Sequence, residues 1–245
     1  MTSRAAWLPL AILASAALLT GCGEEKPPPA IEFGAAKPAG DQIGLKPQSG
    51  TAVALSEWPD ACKLVTDPEI TAILPQAKDF ERTPVKVTIT NFNPLKAADP
   101  STVGDVPRGG CEFEFALPAG KDKSARNSSF TVTVTAVADP ALVAARYAED
   151  KKKEAGDDNE FKDLAAAWGT KGCYSYGGAL NRTAECYQGP YLFEVTGSSS
   201  AGGLGPNPGK KATLNETTAA EKQRYENWIN KVLTPVVQTV GARMS

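Results

Sequence analysis

The chain contains no histidine. That absence removes the commonest general base at neutral pH and the commonest nitrogen ligand for zinc, copper and non-haem iron. An excess of charge is missing as well, since 26 basic residues stand against 28 acidic ones. A surface so balanced offers no concentrated basic field, which excludes nucleic acid as an expected partner. Catalytic signatures are lacking: there is no Gly-x-Ser-x-Gly elbow, no phosphate-binding glycine loop and no Ser-x-x-Lys with its usual partners. Neither pair of cysteines in the body of the chain has Cys-x-x-Cys spacing, so zinc and redox motifs are not expected. No cofactor, no metal and no catalytic residue is assigned.

Apolar runs of membrane length are also lacking. The longest, Ala5 to Leu19, covers about fifteen residues, short of the roughly 20 that cross a bilayer as a helix. Preceded by Arg4, it reads as the core of a signal peptide. Leu19-Thr20-Gly21-Cys22 follows with the form of a lipobox: one aliphatic residue, two small ones, and a cysteine whose thiol receives diacylglycerol before cleavage. Two or more acyl chains hold a protein stably where one does not. Residues 1–21 are therefore expected to be removed, and Cys22 to be lipidated on the extracytoplasmic face of the cell membrane. Loss of the leader takes only Arg4, leaving 25 basic against 28 acidic residues.

Gly23 to Ser56 holds five prolines, three of them consecutive at Pro27, Pro28 and Pro29, and five glycines. Residues 22–56 are read as the lipidated cysteine and a tether. Extended chain of that length reaches about 100 Å at about 3 Å per residue. Residues 57–245 form one domain of ordinary size, large enough to bury a core without metal.

Four cysteines remain after Cys22, an even number that suits two disulfides in an oxidising compartment. Three pairings are open. Proximity in sequence suggests Cys62 with Cys111 and Cys173 with Cys186. The expected class is α+β: an antiparallel or mixed sheet packed with helices, two disulfides, and a duplicated strand-strand-strand-helix unit as an option. Thr66-Asp67-Pro68-Glu69 has the form of a capping box opening a short helix that Pro75 ends. Val85 to Thr90, Cys111 to Phe115 and Ser128 to Val137 alternate as half-buried strands, with Asn91 to Gly110 as a long loop. Asp139-Pro140 starts a helix through about Glu154, whose Lys151, Lys152 and Lys153 complement the carbonyl end of the dipole. Asp157-Asp158-Asn159-Glu160 lacks the alternate spacing of a calcium loop and reads as a cap for a helical Phe161 to Trp168. Strands follow around Cys173 to Tyr176, Thr183 to Tyr187 and Tyr191 to Thr196. Gly197 to Asn215 reads as a loop. Tyr225, Trp228, Ile229, Val232 and Leu233 form the core stripe of a last helix, kinked or restarted at Thr234-Pro235.

Asp60-Ala61-Cys62-Lys63-Leu64-Val65-Thr66-Asp67-Pro68-Glu69 resembles the opening of a family of actinobacterial envelope lipoproteins of unknown function. In that family a cysteine, two aliphatic residues and a threonine lead into the first helix. Gly110-Cys111-Glu112-Phe113 resembles its later Gly-Cys-x-aromatic strand. The resemblance implies a Cys62 to Cys111 disulfide and a mixed α/β sandwich. It does not call for Cys173 and Cys186, and it carries no activity across.

Tyr174, Tyr176, Tyr187 and Tyr191 crowd the small disulfide loop, and they are the candidate ligand-binding residues, because exposed tyrosines stack on sugars and peptides. The alternative is that they serve the core. Glu112 and Glu114 lie on the polar face of one strand and read as solvated. The function these features suggest is a membrane-anchored, non-catalytic lipoprotein that binds an envelope ligand or protein. Two other classes are weighed. An assembly or accessory subunit of a membrane complex predicts an exposed apolar patch. A carboxylate-dependent hydrolase predicts two acidic side chains about 5 to 10 Å apart in a cleft.

Overall fold

The computed structural model describes residues 30–90, 102–118, 127–156, 160–164, 168–177, 182–199, 204–205 and 213–245. Seven strands form one sheet: β1 (Lys78–Ile89), β2 (Gly104–Ala116), β3 (Asn127–Val137), β4 (Lys162–Asp163), β5 (Gly172–Tyr176), β6 (Arg182–Gln188) and β7 (Tyr191–Ser199). Their order is β1-β2-β3-β7-β6-β5-β4, and every pairing is antiparallel. Helices α1 (Asp67–Ile73), α2 (Pro140–Glu154), α3 (Leu214–Trp228) and α4 (Thr234–Arg243) complete the α+β domain. Of the two sheet types expected, antiparallel or mixed, the single sheet is antiparallel. Both disulfides form, Cys62 to Cys111 and Cys173 to Cys186.

Alternation divides the residues of the sheet between two layers. One face carries Phe113, Phe115, Phe130, Val132, Phe193 and Val195 against α1, α4 and the turn before α4. Phe113 and Phe130 stack with ring centroids 4.9 Å apart. Each such side chain contributes roughly 1.5–3 kcal/mol by leaving water. The opposite face is covered over its β5–β7 half by α2, through Val143 and Tyr147 on Ala136, Leu192 and Tyr174. The two three-strand units meet at β3 and β7, as a duplication would arrange them. Their following helices, α2 and α3–α4, cover opposite faces, which a simple repeat would not.

Helix ends follow the local chemistry. Glu69 accepts from the backbone N–H and the hydroxyl of Thr66, closing the first turn of α1. The Asp139 carboxylate accepts from the N–H of Ala141 at the start of α2 and from the N–H of Gly50. Asp139→Ala is expected to cost about 1–2 kcal/mol through the lost cap, read as a lower urea midpoint. Before Pro235 the last helix widens into a π turn over Ile229–Leu233, where the Thr234 N–H bonds to the carbonyl of Ile229. Proline has no N–H to give to the residue four back. The wider turn therefore carries the apolar stripe on without a break, and Trp228, Val232, Leu233, Val236, Val237 and Val240 are all buried. Gly197 in β7 lies against that stripe: a Cβ there would stand 3.0 Å from both Leu233 and Trp228. Gly197→Ala is expected to destabilise by about 1–2 kcal/mol through overpacking, which thermal unfolding would register as a lower Tm.

Four expectations need correction. Gly104 to Gly110 is strand, not loop; Pro107 is tolerated because it falls in the register shift between Val85 and Val87 of the partner, where the ladder is already broken. Strand β1 begins at Lys78, and Pro84 is accepted there because β1 is the sheet edge. Phe161 to Trp168 is not a helix where it is described: Lys162 and Asp163 pair with β5, and the Leu164 N–H bonds to the Cys173 carbonyl. Among the residues expected to cap it, 157–159 lie outside the described residues. The expected loop from Gly197 loses its first three residues to β7 and its end to α3, which Thr213 and Glu216 cap; residues 200–203 and 206–212 lie outside the described residues.

The tether also differs from its expected form. From Ala30 onward it lies along the domain as a strap. Ile31 and Val53 are buried, and Phe33, Ile43 and Leu45 pack against the core. The Gly34 N–H bonds to the carbonyl of Ile73, the Ile43 N–H to that of Arg243, and the Val53 N–H to that of Val137. Glu69 and Arg243 clasp the strap: the Ala39 N–H donates to Glu69, and Gly40 crosses directly over the Arg243 guanidinium.

Candidate functional site

The four tyrosines do not form one surface. Tyr191 is fully buried on the layer facing α4, and its hydroxyl donates to the carbonyl of Ile43 at 2.8 Å. Tyr174, Tyr176 and Tyr187 lie on the opposite face under α2. Tyr174 is 0% exposed, so it has no surface for stacking on a ligand. Its ring centroid lies 5.4 Å from that of Tyr147, 5.5 Å from Phe161 and 5.8 Å from Tyr176. Tyr176 and Tyr187 are half-buried. Cys22 lies outside the described residues.

Beside these rings stands a feature that was not read from the sequence. The Gly189-Pro190 turn closes β6 on β7 with Gln188 opposite Tyr191, which places Glu185 directly opposite Glu194. Gly189 has φ +55°, the positive value that the first position of such a turn requires and glycine supplies. Directly opposed residues have Cβ atoms about 4.5–5.5 Å apart, so two carboxyls share one position on the α2 side. Tyr174 is the next residue in the same row, opposite Glu185. From above, α2 contributes Arg146, held to Asp150 at 2.6 Å, and Lys151 reaches Asp163 of β4 at 2.6 Å.

The electrostatics follow from this enclosure. Burial, then Glu194 and Asp150, push the Glu185 carboxyl up to about 8. Glu194 is raised in the same direction, by burial and by Asp150. Tyr174 and Tyr176 are raised as well, by burial and by the nearby glutamates. The enclosed Tyr174 hydroxyl and Glu185 carboxyl are set against one another in this row and interact directly.

The other buried charges are structural. Arg182, 1% exposed, donates to Ser175, Glu160, the carbonyl of Gly177 and the Tyr225 hydroxyl. It ties β5 and β6 to α3. Glu112 and Glu114 are half-exposed, in line with the solvated reading. Among the described residues no group of three acidic or cysteine side chains converges as a metal site, and no helix is long and apolar enough to cross a membrane. Leu214 is the large apolar side chain found mostly exposed among them.

Fold and site together define a disulfide-stapled α+β domain with an acid pair, one member buried and one half-buried, beneath one helix. Comparisons of the chain with protein-family models, with curated proteins and with solved structures return no match.

Proposed function

We propose that the protein is a lipid-anchored, extracytoplasmic binding module of the cell envelope that works without catalysis. Its anchor is Cys22, and its ligand-facing region is the α2 edge of the sheet around Glu194 and Tyr176, with Glu185 and Tyr174 enclosed behind them. The observation that supports the binding reading is the row beneath α2 in which Glu185 stands directly opposite Glu194 with Tyr174 on its other side.

A carboxylate-dependent hydrolase is the reading that the opposed glutamates most directly invite. Such an enzyme separates its two acids, one kept protonated to donate and one kept ionised to attack or to activate water. Here burial raises both in the same direction, which favours binding over hydrolysis.

The test is a thermal-shift screen of the purified chain against sugars, amines and short peptides, run beside assays of chromogenic glycosides and esters. Binding predicts a raised Tm with at least one class, lost in Glu194→Gln, and no turnover. Turnover that disappears in Glu185→Gln and Glu194→Gln would replace this reading with the hydrolase.

A further inference from the structure

We infer that the docked strap, and not the full run from Cys22 to Ser56, sets the distance between membrane and domain, and that it confines the domain to the bilayer surface. The inference rests on lipidation of Cys22. Expected from sequence as a free tether of about 100 Å, the segment is engaged with the domain from Ile31, which is 6% exposed. Next to it the Glu32 N–H donates to the Gln76 side chain at 3.1 Å, and the Gly34 and Ala35 N–H groups donate to the carbonyls of Ile73 and Ala72 at 2.9 and 3.2 Å. These contacts pin the strap to the C-terminal end of α1.

Eight residues lie between Cys22 and Ile31. Whatever their conformation, nine steps of chain span at most about 30 Å. The strap yields more length only by giving up its contacts in turn, starting with those of Ile31 to Ala35. At its middle Ile43 is held from both sides, by the Arg243 carbonyl at 2.7 Å and by the Tyr191 hydroxyl at 2.8 Å. At its far end the Val53 N–H bonds to Val137 at 2.9 Å. Between these points the Glu69–Arg243 clasp at 2.9 Å holds Ala39 and Gly40. A domain of this size is roughly 40 Å across. Whatever it binds therefore lies within about 70 Å of the headgroups, and the end of the molecule bearing Gln76 and the start of β1 is the one attached nearest the bilayer. The partner is therefore one that comes within that distance of the membrane.

The full chain, made in a host that lipidates it and reconstituted on a supported phosphatidylcholine bilayer, tests this by neutron reflectometry. The expected profile has protein density starting no farther than about 30 Å from the headgroups. Inserting thirty Gly/Ser residues between Lys26 and Pro27 is expected to move the near edge outward by about 30 Å. A water-filled gap of about 60–100 Å in the unaltered chain, or no response to the insertion, overturns the inference. Mass spectrometry of the N-terminal peptide separates the two failures. A wide gap with lipid on Cys22 sinks the inference alone, whereas Cys22 without lipid sinks the anchored reading and the inference with it.

Discussion

Arg243→Ala is expected to lower the unfolding free energy by about 3–5 kcal/mol, the cost of leaving a buried carboxylate without its cation. Glu69 is 1% exposed. Its oxygens accept from the backbone N–H groups of Ala39 and Thr66, the Thr66 hydroxyl and the Arg243 guanidinium. Burial alone would raise its pKa, yet these hydrogen bonds carry it below the ordinary carboxylate value. Arg243 also donates to the carbonyl of Lys63 at 2.7 Å. One guanidinium thus joins α4 to α1, to the turn carrying Cys62 and to the strap. Urea unfolding would register the loss as a lower midpoint, with little change in slope if the strap stays docked. The double variant Glu69→Gln/Arg243→Met is expected to regain part of the loss, because it removes the uncompensated charge along with the pair. A single-variant loss under about 1 kcal/mol would mean that water reaches the clasp and screens it like an exposed pair.

What could be read in the sequence was what is decided locally. The Asp139 cap with Pro140, the alternation of Ser128 to Val137 and the apolar stripe through Val240 each depend on neighbours within one or two turns, and they reappear at nearly the expected residues. The strap was not legible. Ile31, Phe33, Ile43, Leu45 and Val53 have neither helical nor strand spacing, and each finds its place against residues distant in the chain. The acid pair was legible in principle. A two-residue turn at Gly189-Pro190 makes 185 and 194 partners, just as it pairs 188 with 191, and Glu194 is the lone charge of its strand. The same register separates the tyrosines: Tyr174 lies in the row of Glu185 and Glu194, while Tyr191 has the opposite parity and points to the other layer. What periodicity could not supply was α2, whose position over β6 and β7 leaves Glu185 buried and Glu194 half-buried.

That burial leads to the second large effect: the unfolding free energy is expected to fall by a few kcal/mol as pH rises from about 5 to about 9. The Glu185 carboxyl is raised from an ordinary value of 4.5 to about 8 in the folded chain. Folding therefore favours the protonated form. Its contribution is fully present below pH 4.5 and is lost progressively up to about 8, as the unfolded chain ionises and the folded chain is forced to follow. One proton gives a slope of about 1.4 kcal/mol per pH unit across that window, and Glu194, raised for the same reason, adds to it. Glu69 acts with the opposite sign. Its folded pKa is lowered, so its contribution is present above its ordinary value and lost as the pH falls through the folded one. The two effects together place maximal stability on the acid side of neutrality. Urea midpoints measured at intervals from pH 5 to pH 9 would trace the slope. Glu185→Gln, which keeps the shape and cannot ionise, is expected to flatten it and to raise stability above the parent near pH 9. A parent curve already flat over that interval would mean that Glu185 stays ionised beneath α2, and the carboxyl pair would then need a cation close by to hold it.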